Sequence, residues 1–121
     1  MPRPLTIQRR TTLLQEALAV IEAEYARDLE LDDVARRIAT SRRQLQRCFD
    51  ELGDGSFRES LTRVRMDRAA GLLAGTGLTV KEVASRVGYR QPAQFAKAFR
   101  RRYGAAPAAF RAGRRTEALA A

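Results

Sequence analysis

Arg43, Gln46 and Arg47 are spaced i, i+3, i+4, and a second set, Ala93, Gln94, Lys97 and Arg101, follows about fifty residues later. On a helix each set lies on one face. Guanidinium, ammonium and amide groups gathered there donate hydrogen bonds to planar acceptors and attract anions, but at neutral pH they supply no nucleophile or general base. The rest of the chain adds none. It has no histidine, a single cysteine, Cys48, and no glycine-rich phosphate loop, so no coherent catalytic set and no cysteine- or histidine-based metal site can be assembled. Cys48 falls between Arg47 and Phe49 inside a helical pattern, where a small buried hydrophobe is expected. The sequence therefore predicts a non-enzyme without cofactor or metal.

Each polar set needs a helix to carry it and a preceding helix to position it, and both are written twice. Val34-Ala35-x-Arg37-Ile38 matches Val83-Ala84-x-Arg86-Val87, and Leu45-x-Arg47-x-Phe49 matches Phe95-x-Lys97-x-Phe99. In the first copy Leu31, Val34, Ala35 and Ile38 face inward, Ala39-Thr40 makes the turn, and Ser41 caps a second helix with Leu45, Phe49 and Leu52 inward. In the second, Thr79 and Glu82 form a capping box, Gly88 makes the turn, and Pro92 is the first residue of a helix with Phe95, Phe99 and Tyr103 inward. Gly88 suits a positive φ better than Ala39 does. Before the first copy, Leu13, Leu14, Ala17, Leu18, Ile21 and Tyr25 predict a helix from Thr12. Between the copies, Ser56 and Glu59 form a second capping box for a helix to about Leu73, with Phe57, Leu61, Val64, Ala69, Leu72 and Leu73 inward. A last turn begins at Pro107, anchored by Phe110.

The fold class expected is all-α: two helix-turn-helix subdomains joined by a long central helix, about seven helices. Residues 1–11 form a loose N-terminal arm, 12–55 the first subdomain, 56–74 the linker helix, 75–112 the second subdomain and 113–121 a basic frayed tail. The formal charge is +9. Between Val83 and Thr116 stand Arg86, Arg90, Lys97, Arg100, Arg101, Arg102, Arg111, Arg114 and Arg115, with no Asp or Glu. A positive field coincident with a repeated helix-turn-helix points to nucleic acid. Long donors on Arg43, Gln46 and Arg47 fit base edges in a major groove, and the second set offers less, so the first copy should discriminate sequence and the second hold phosphates. Phosphate candidates are Arg42, Arg90, Arg100, Arg102 and the tail arginines, with Ser41, Gln91 and Arg101 at the ends of the same helices. Arg65, amid Leu61, Val64 and Ala69, either pairs with an acidic group or contacts DNA.

In order along the chain, Leu31-x-x-Val34-Ala35, Ser41-x-x-x-Leu45-x-Arg47-x-Phe49, Arg65-x-x-x-Ala69-x-x-Leu72-Leu73, Val80-x-x-Val83-Ala84-x-x-Val87-Gly88-Tyr89, Phe95-x-Lys97-x-Phe99-Arg100-x-x-Tyr103-Gly104 and Pro107-x-x-Phe110-Arg111 resemble the DNA-binding domain of AraC/XylS-type transcription regulators, stand-alone or excised from a C-terminal end. The resemblance spans about residues 12 to 112 and implies a sequence-specific regulator bound to double-stranded promoter DNA. It implies base-reading positions at Arg43, Gln44, Gln46 and Arg47 in the first recognition helix and at Ala93, Gln94 and Lys97 in the second. Three departures stand out: Ala39 where glycine is usual, Asp54 flanked by Gly53 and Gly55 where a glycine is expected, and Pro92 where a polar residue is common.

Two different copies on one chain predict one asymmetric site in two successive major grooves, occupied by a monomer. RNA polymerase is a candidate second partner. No effector domain is seen ahead of the motif, so the chain either acts alone, which Met1 and the arm favour, or is a fragment. With no apolar run of membrane-spanning length and no signal-like segment, the expected compartment is the cytoplasm. The competing reading is a protein-interaction module that uses the helix-turn-helix fold to bind polymerase or another regulator. RNA binding fits the charge, but Phe and Tyr are needed inside and leave no stacking surface.

Overall fold

A computed structural model describes residues 6–120, with side chains described to Arg114. Seven helices follow in order: α1 Ile7–Glu24, α2 Leu31–Arg37, α3 Arg42–Leu52, α4 Phe57–Gly75, α5 Val80–Arg86, α6 Pro92–Tyr103 and α7 Pro107–Ala120. No strand occurs among the described residues. The chain divides into two compact units, Met1–Leu61 and Thr62–Ala121, the boundary falling within α4.

In the first unit, the apolar stripe of α1 supplies Leu13, Ala17 and Ile21, α2 supplies Leu31, Val34 and Ala35, and α3 supplies Leu45, Cys48 and Phe49. Phe57 and Leu61 from the start of α4 complete this core, with the Phe57 ring edge-on to Phe49 at 6.0 Å. Burial pushes the Cys48 thiol above its usual pKa, as a small core hydrophobe requires. α1 begins at Ile7, five residues before the predicted Thr12, because the Thr6 hydroxyl accepts from the Arg9 N–H at 3.0 Å and caps the helix. Residues 1–5 of the expected arm lie outside the described residues. Leu52 departs from its expected place: on the packed side of α3 but one turn past Phe49, at the helix end, it is 39% exposed. The helix stops at Gly53, whose N–H bonds to the Phe49 carbonyl at 3.0 Å; a Cβ there would sit 2.6 Å from that same oxygen.

In the second unit the core is Met66, Ala69, Ala70 and Leu73 of α4, Val83 and Ala84 of α5, Val87, and Phe95 and Phe99 of α6. Met66 and Ala70, rather than Val64 and Leu72, carry the buried stripe of α4; the latter two are half-buried. An aromatic chain runs Tyr89, Phe95, Phe99, Tyr103 and Phe110, with successive ring centroids 4.9 to 5.8 Å apart. α7 continues to Ala120, through the stretch expected to fray. Arg111 on α7 is not a free tail cation: its guanidinium donates to the carbonyls of Leu73 at 3.0 Å and Leu78 at 2.5 Å, satisfying backbone acceptors where α4 ends.

The two helix-turn-helix copies share one backbone device. After α2 the N–H of Thr40 bonds to the Ala35 carbonyl at 2.9 Å and that of Ala39 to Arg36 at 3.2 Å; after α5 the N–H of Tyr89 bonds to Ala84 at 2.9 Å and that of Gly88 to Ser85 at 3.1 Å. Both are Schellman closures, which need a left-handed residue just past the helix. Gly88 fills that place at φ 96°, and Ala39 fills it at φ 57° with a Cβ to accommodate.

Candidate nucleic-acid interface

α3 leaves its reading face free because Leu45, Cys48 and Phe49 take the opposite side into the core. Ser41 starts it by accepting from the Gln44 N–H at 3.1 Å, which leaves the hydroxyl proton available for a further acceptor. Arg43, Gln46, Arg47 and Asp50 are exposed together on the outer face. The Gln46 amide nitrogen donates to the Asp50 carboxylate at 3.1 Å. Gln44 lies apart from them: it is half-buried and its side-chain oxygen accepts from the Thr40 hydroxyl at 2.8 Å, tying the helix start to the turn.

α6 has the same plan with different ends. Gln91 is exposed at its N-cap and makes no side-chain capping bond, and Pro92 follows as the first helical residue. Phe95 and Phe99 face inward, while Ala93, Gln94, Lys97, Arg100 and Arg101 are exposed on the outer face, preceded by exposed Arg90. Arg102, expected among the phosphate contacts, points elsewhere. Its guanidinium forks onto Asp67 of α4, at 2.7 and 3.0 Å, and the Tyr103 hydroxyl donates to the same carboxylate at 2.5 Å. The Arg102 hydrogen bonds hold the Asp67 carboxyl below its usual pKa, and burial raises that of Tyr103. This triad clamps the last turn of α6 onto α4. Arg65 places its guanidinium 5.6 Å from the Tyr89 ring centre, a cation-π contact within the second unit.

Electrostatically the units are opposites. Residues 1–61 carry ten arginines against eleven carboxylates, whereas residues 62–121 carry thirteen lysines and arginines against three. The arginines of the first unit are also largely consumed: Arg10 pairs with Glu51, Arg27 and Arg37 with Glu24, Arg36 with Asp33, Arg42 weakly with Asp32 at 3.8 Å, and Arg58 with Glu30. Among its described arginines, Arg9, Arg43 and Arg47 remain unpaired, the last two on α3. In the second unit Arg90, Lys97, Arg100 and Arg101 have no carboxylate partner among the described residues. Only Arg102 of the α6 cations is neutralised. Sequence reasoning missed this sorting because pairing depends on contacts between helices, although the Glu and Asp run around α2 was a signal for it. No described helix is long and apolar enough to cross a membrane.

Comparison with known proteins matches the fold. A helix-turn-helix domain family matches residues 34–113. The Msm operon regulatory protein of Streptococcus mutans is 32% identical over 92 residues, which cover 76% of this chain and 33% of that protein. The C-terminal domain of AraT, a response regulator from Geobacillus stearothermophilus, is 36% identical with a TM-score of 0.79, covering 87% of this chain and 88% of that one. The DNA-binding domain of AdpA, a global transcriptional factor solved in complex with a target DNA, is 33% identical with a TM-score of 0.80, covering 86% and 94%. The chain spans about a third or less of the length of the curated relatives it matches. Matched over most of its length by a family of DNA-binding regulators rather than enzymes, the chain belongs to the AraC-type helix-turn-helix family.

Proposed function

We propose that the chain binds double-stranded promoter DNA as a transcription regulator, with α3 and α6 in successive major grooves of one asymmetric site. The observation that carries this reading is the distribution of unpaired cations. Arg43 and Arg47 on α3, and Lys97, Arg100 and Arg101 on α6, are exposed without a carboxylate partner among the described residues, while other arginines of the first unit are engaged. Base contacts fall to Arg43, Gln46 and Arg47, joined by Ala93, Gln94 and Lys97; phosphate contacts fall to Ser41, Arg42, Arg90, Gln91, Arg100 and Arg101. Gln44, bonded to Thr40, supports the turn. The two copies are joined covalently through α4, so one chain carries both recognition helices. One protomer occupies the site, in the cytoplasm, and a regulator seated at a promoter has RNA polymerase as its neighbour.

Footprinting with the purified chain tests this. One asymmetric protected stretch of about 20 base pairs per protomer is expected, two groove contacts being roughly one helical turn apart. Two identical inverted half-sites held by a dimer would overturn the monomer geometry. Weak binding insensitive to salt and sequence would overturn the DNA reading itself.

A further inference from the structure

A carboxylate in the middle of a surface offered to a polyanion requires a reason. Asp50 lies on the α3 face between the directions of Arg43 and Gln46, exposed, one turn after Gln46 and two after Arg43. Neither arginine of that face pairs with it. It is instead bound to Gln46, whose amide nitrogen donates to it at 3.1 Å. The assignment of amide oxygen and nitrogen follows from chemistry, since an amide oxygen turned toward a carboxylate would be repelled. One N–H of Gln46 is thereby committed, and the flipped amide, with its oxygen facing the carboxylate, is disfavoured. Its remaining functions are an acceptor oxygen and one N–H, side by side.

We propose that Asp50 is a specificity-determining positioning residue: by fixing the Gln46 amide it makes that position read adenine and reject guanine. Adenine presents an amino donor beside the N7 acceptor, which matches one amide oxygen and one N–H; guanine presents two acceptors, which a fixed amide oxygen opposes. An unrestrained glutamine could turn to donate to guanine. The Asp50 charge meanwhile lowers affinity for every duplex through repulsion of phosphate, so selectivity is gained at the expense of strength. This inference rests on the reading of α3 as a recognition helix.

The test is selection of duplexes from a randomised pool by the wild-type chain, Gln46→Ala, Asp50→Glu and Asp50→Ala, with thermal melting to confirm that the variants remain folded. Q46A identifies the base position concerned as the one whose preference disappears. At that position D50A is expected to reduce the preference for adenine over guanine on the order of tenfold, the lower part of the range for a bidentate base contact. D50A should also bind all sequences more tightly. D50E keeps an acceptor-only carboxylate one turn from Gln46, so it should retain both the preference and the wild-type general affinity. A structural role for Asp50 would move stability without separating the two variants in base preference. The proposal is overturned if D50A keeps the wild-type preference at the Q46A-sensitive position, if D50E loses it as D50A does, or if Q46A changes no position. A wild-type chain that selects no sequence overturns the recognition-helix reading, and this inference with it.

Discussion

The unequal charge of the two units predicts that salt dependence and sequence preference can be removed separately. Arg100 and Arg101 are exposed on the outer side of α6 without carboxylate partners among the described residues. Each cation that meets a phosphate contributes about 0.9 to the slope of log affinity against log salt. The Arg100→Ala, Arg101→Ala double variant should therefore lose about 1.8 from that slope. Across a fourfold rise, from about 50 to 200 mM salt, the affinity loss of the variant should be about twelvefold smaller than that of the wild-type chain. Its ranking of duplexes should not change. The Arg43→Ala, Arg47→Ala double variant should behave in the opposite sense, losing up to about 1–3 kcal/mol of discrimination for each bidentate base contact removed. Fluorescence anisotropy with a matched and a scrambled duplex over a salt series measures both quantities. The reasoning fails if the α3 variant loses more slope than the α6 variant, or if Lys97→Ala alters preference more than Arg47→Ala does.

The turn between α2 and α3 predicts a stabilising substitution. An alanine held left-handed costs roughly 1–2 kcal/mol, and glycine returns about 0.5–1 kcal/mol of this as unfolded-state entropy, so Ala39→Gly should stabilise by about 0.5–1 kcal/mol, a few degrees of Tm; Gly88→Ala should destabilise by at least about 0.5–1 kcal/mol, the same difference with the sign reversed. Thermal denaturation decides it, and a lower Tm for A39G would contradict the strain argument. The Asp67 clamp predicts a pH dependence of the second unit. Because the Asp67 carboxyl titrates below its unfolded value, its stabilisation is present above about pH 4 and is lost as the pH falls through the folded-state value; Tyr103, shifted upward, adds a loss as the pH rises past about 10. Asp67→Asn should flatten the acid limb in pH-dependent denaturation, and an unchanged acid limb would refute the assignment.

Local features were legible in the sequence and long-range ones were not. Ser41, the Ser56–Glu59 box and the Thr79–Glu82 box occupy their expected positions, each a hydrogen bond between residues three apart. The duplicated Val-Ala pattern led directly to α2 and α5, and to the need for a left-handed residue after each. What spacing cannot encode is which of several arginines meets a carboxylate or carbonyl more than thirty residues away. Arg102 finds Asp67 at a separation of 35, and Arg111 finds Leu73 at 38, so two cations expected to face DNA serve the fold. Met66 was missed in α4 because the helix contributes residues to two separate cores; Phe57 and Leu61 serve the first, Met66, Ala69 and Leu73 the second.

The same division explains why a duplicated motif gains by being unequal. A reader surrounded by excess positive charge binds any duplex well, because phosphate attraction is the same for every sequence and raises specific and non-specific affinity alike. Discrimination improves where that uniform contribution is small and base-edge contacts decide the outcome. In the proposed function the first unit meets this condition through Glu24, Glu30, Asp33 and Glu51, whose pairs withdraw arginines from the general field and leave Arg43 and Arg47 on α3. The second unit meets the complementary need. α6 itself carries no carboxylate, and Asp67 of α4 is occupied by Arg102, so Lys97, Arg100 and Arg101 are not offset among the described residues. A covalent link between the two lets phosphate affinity from one copy raise the effective concentration of the other at the duplex, so a weak but selective reader suffices.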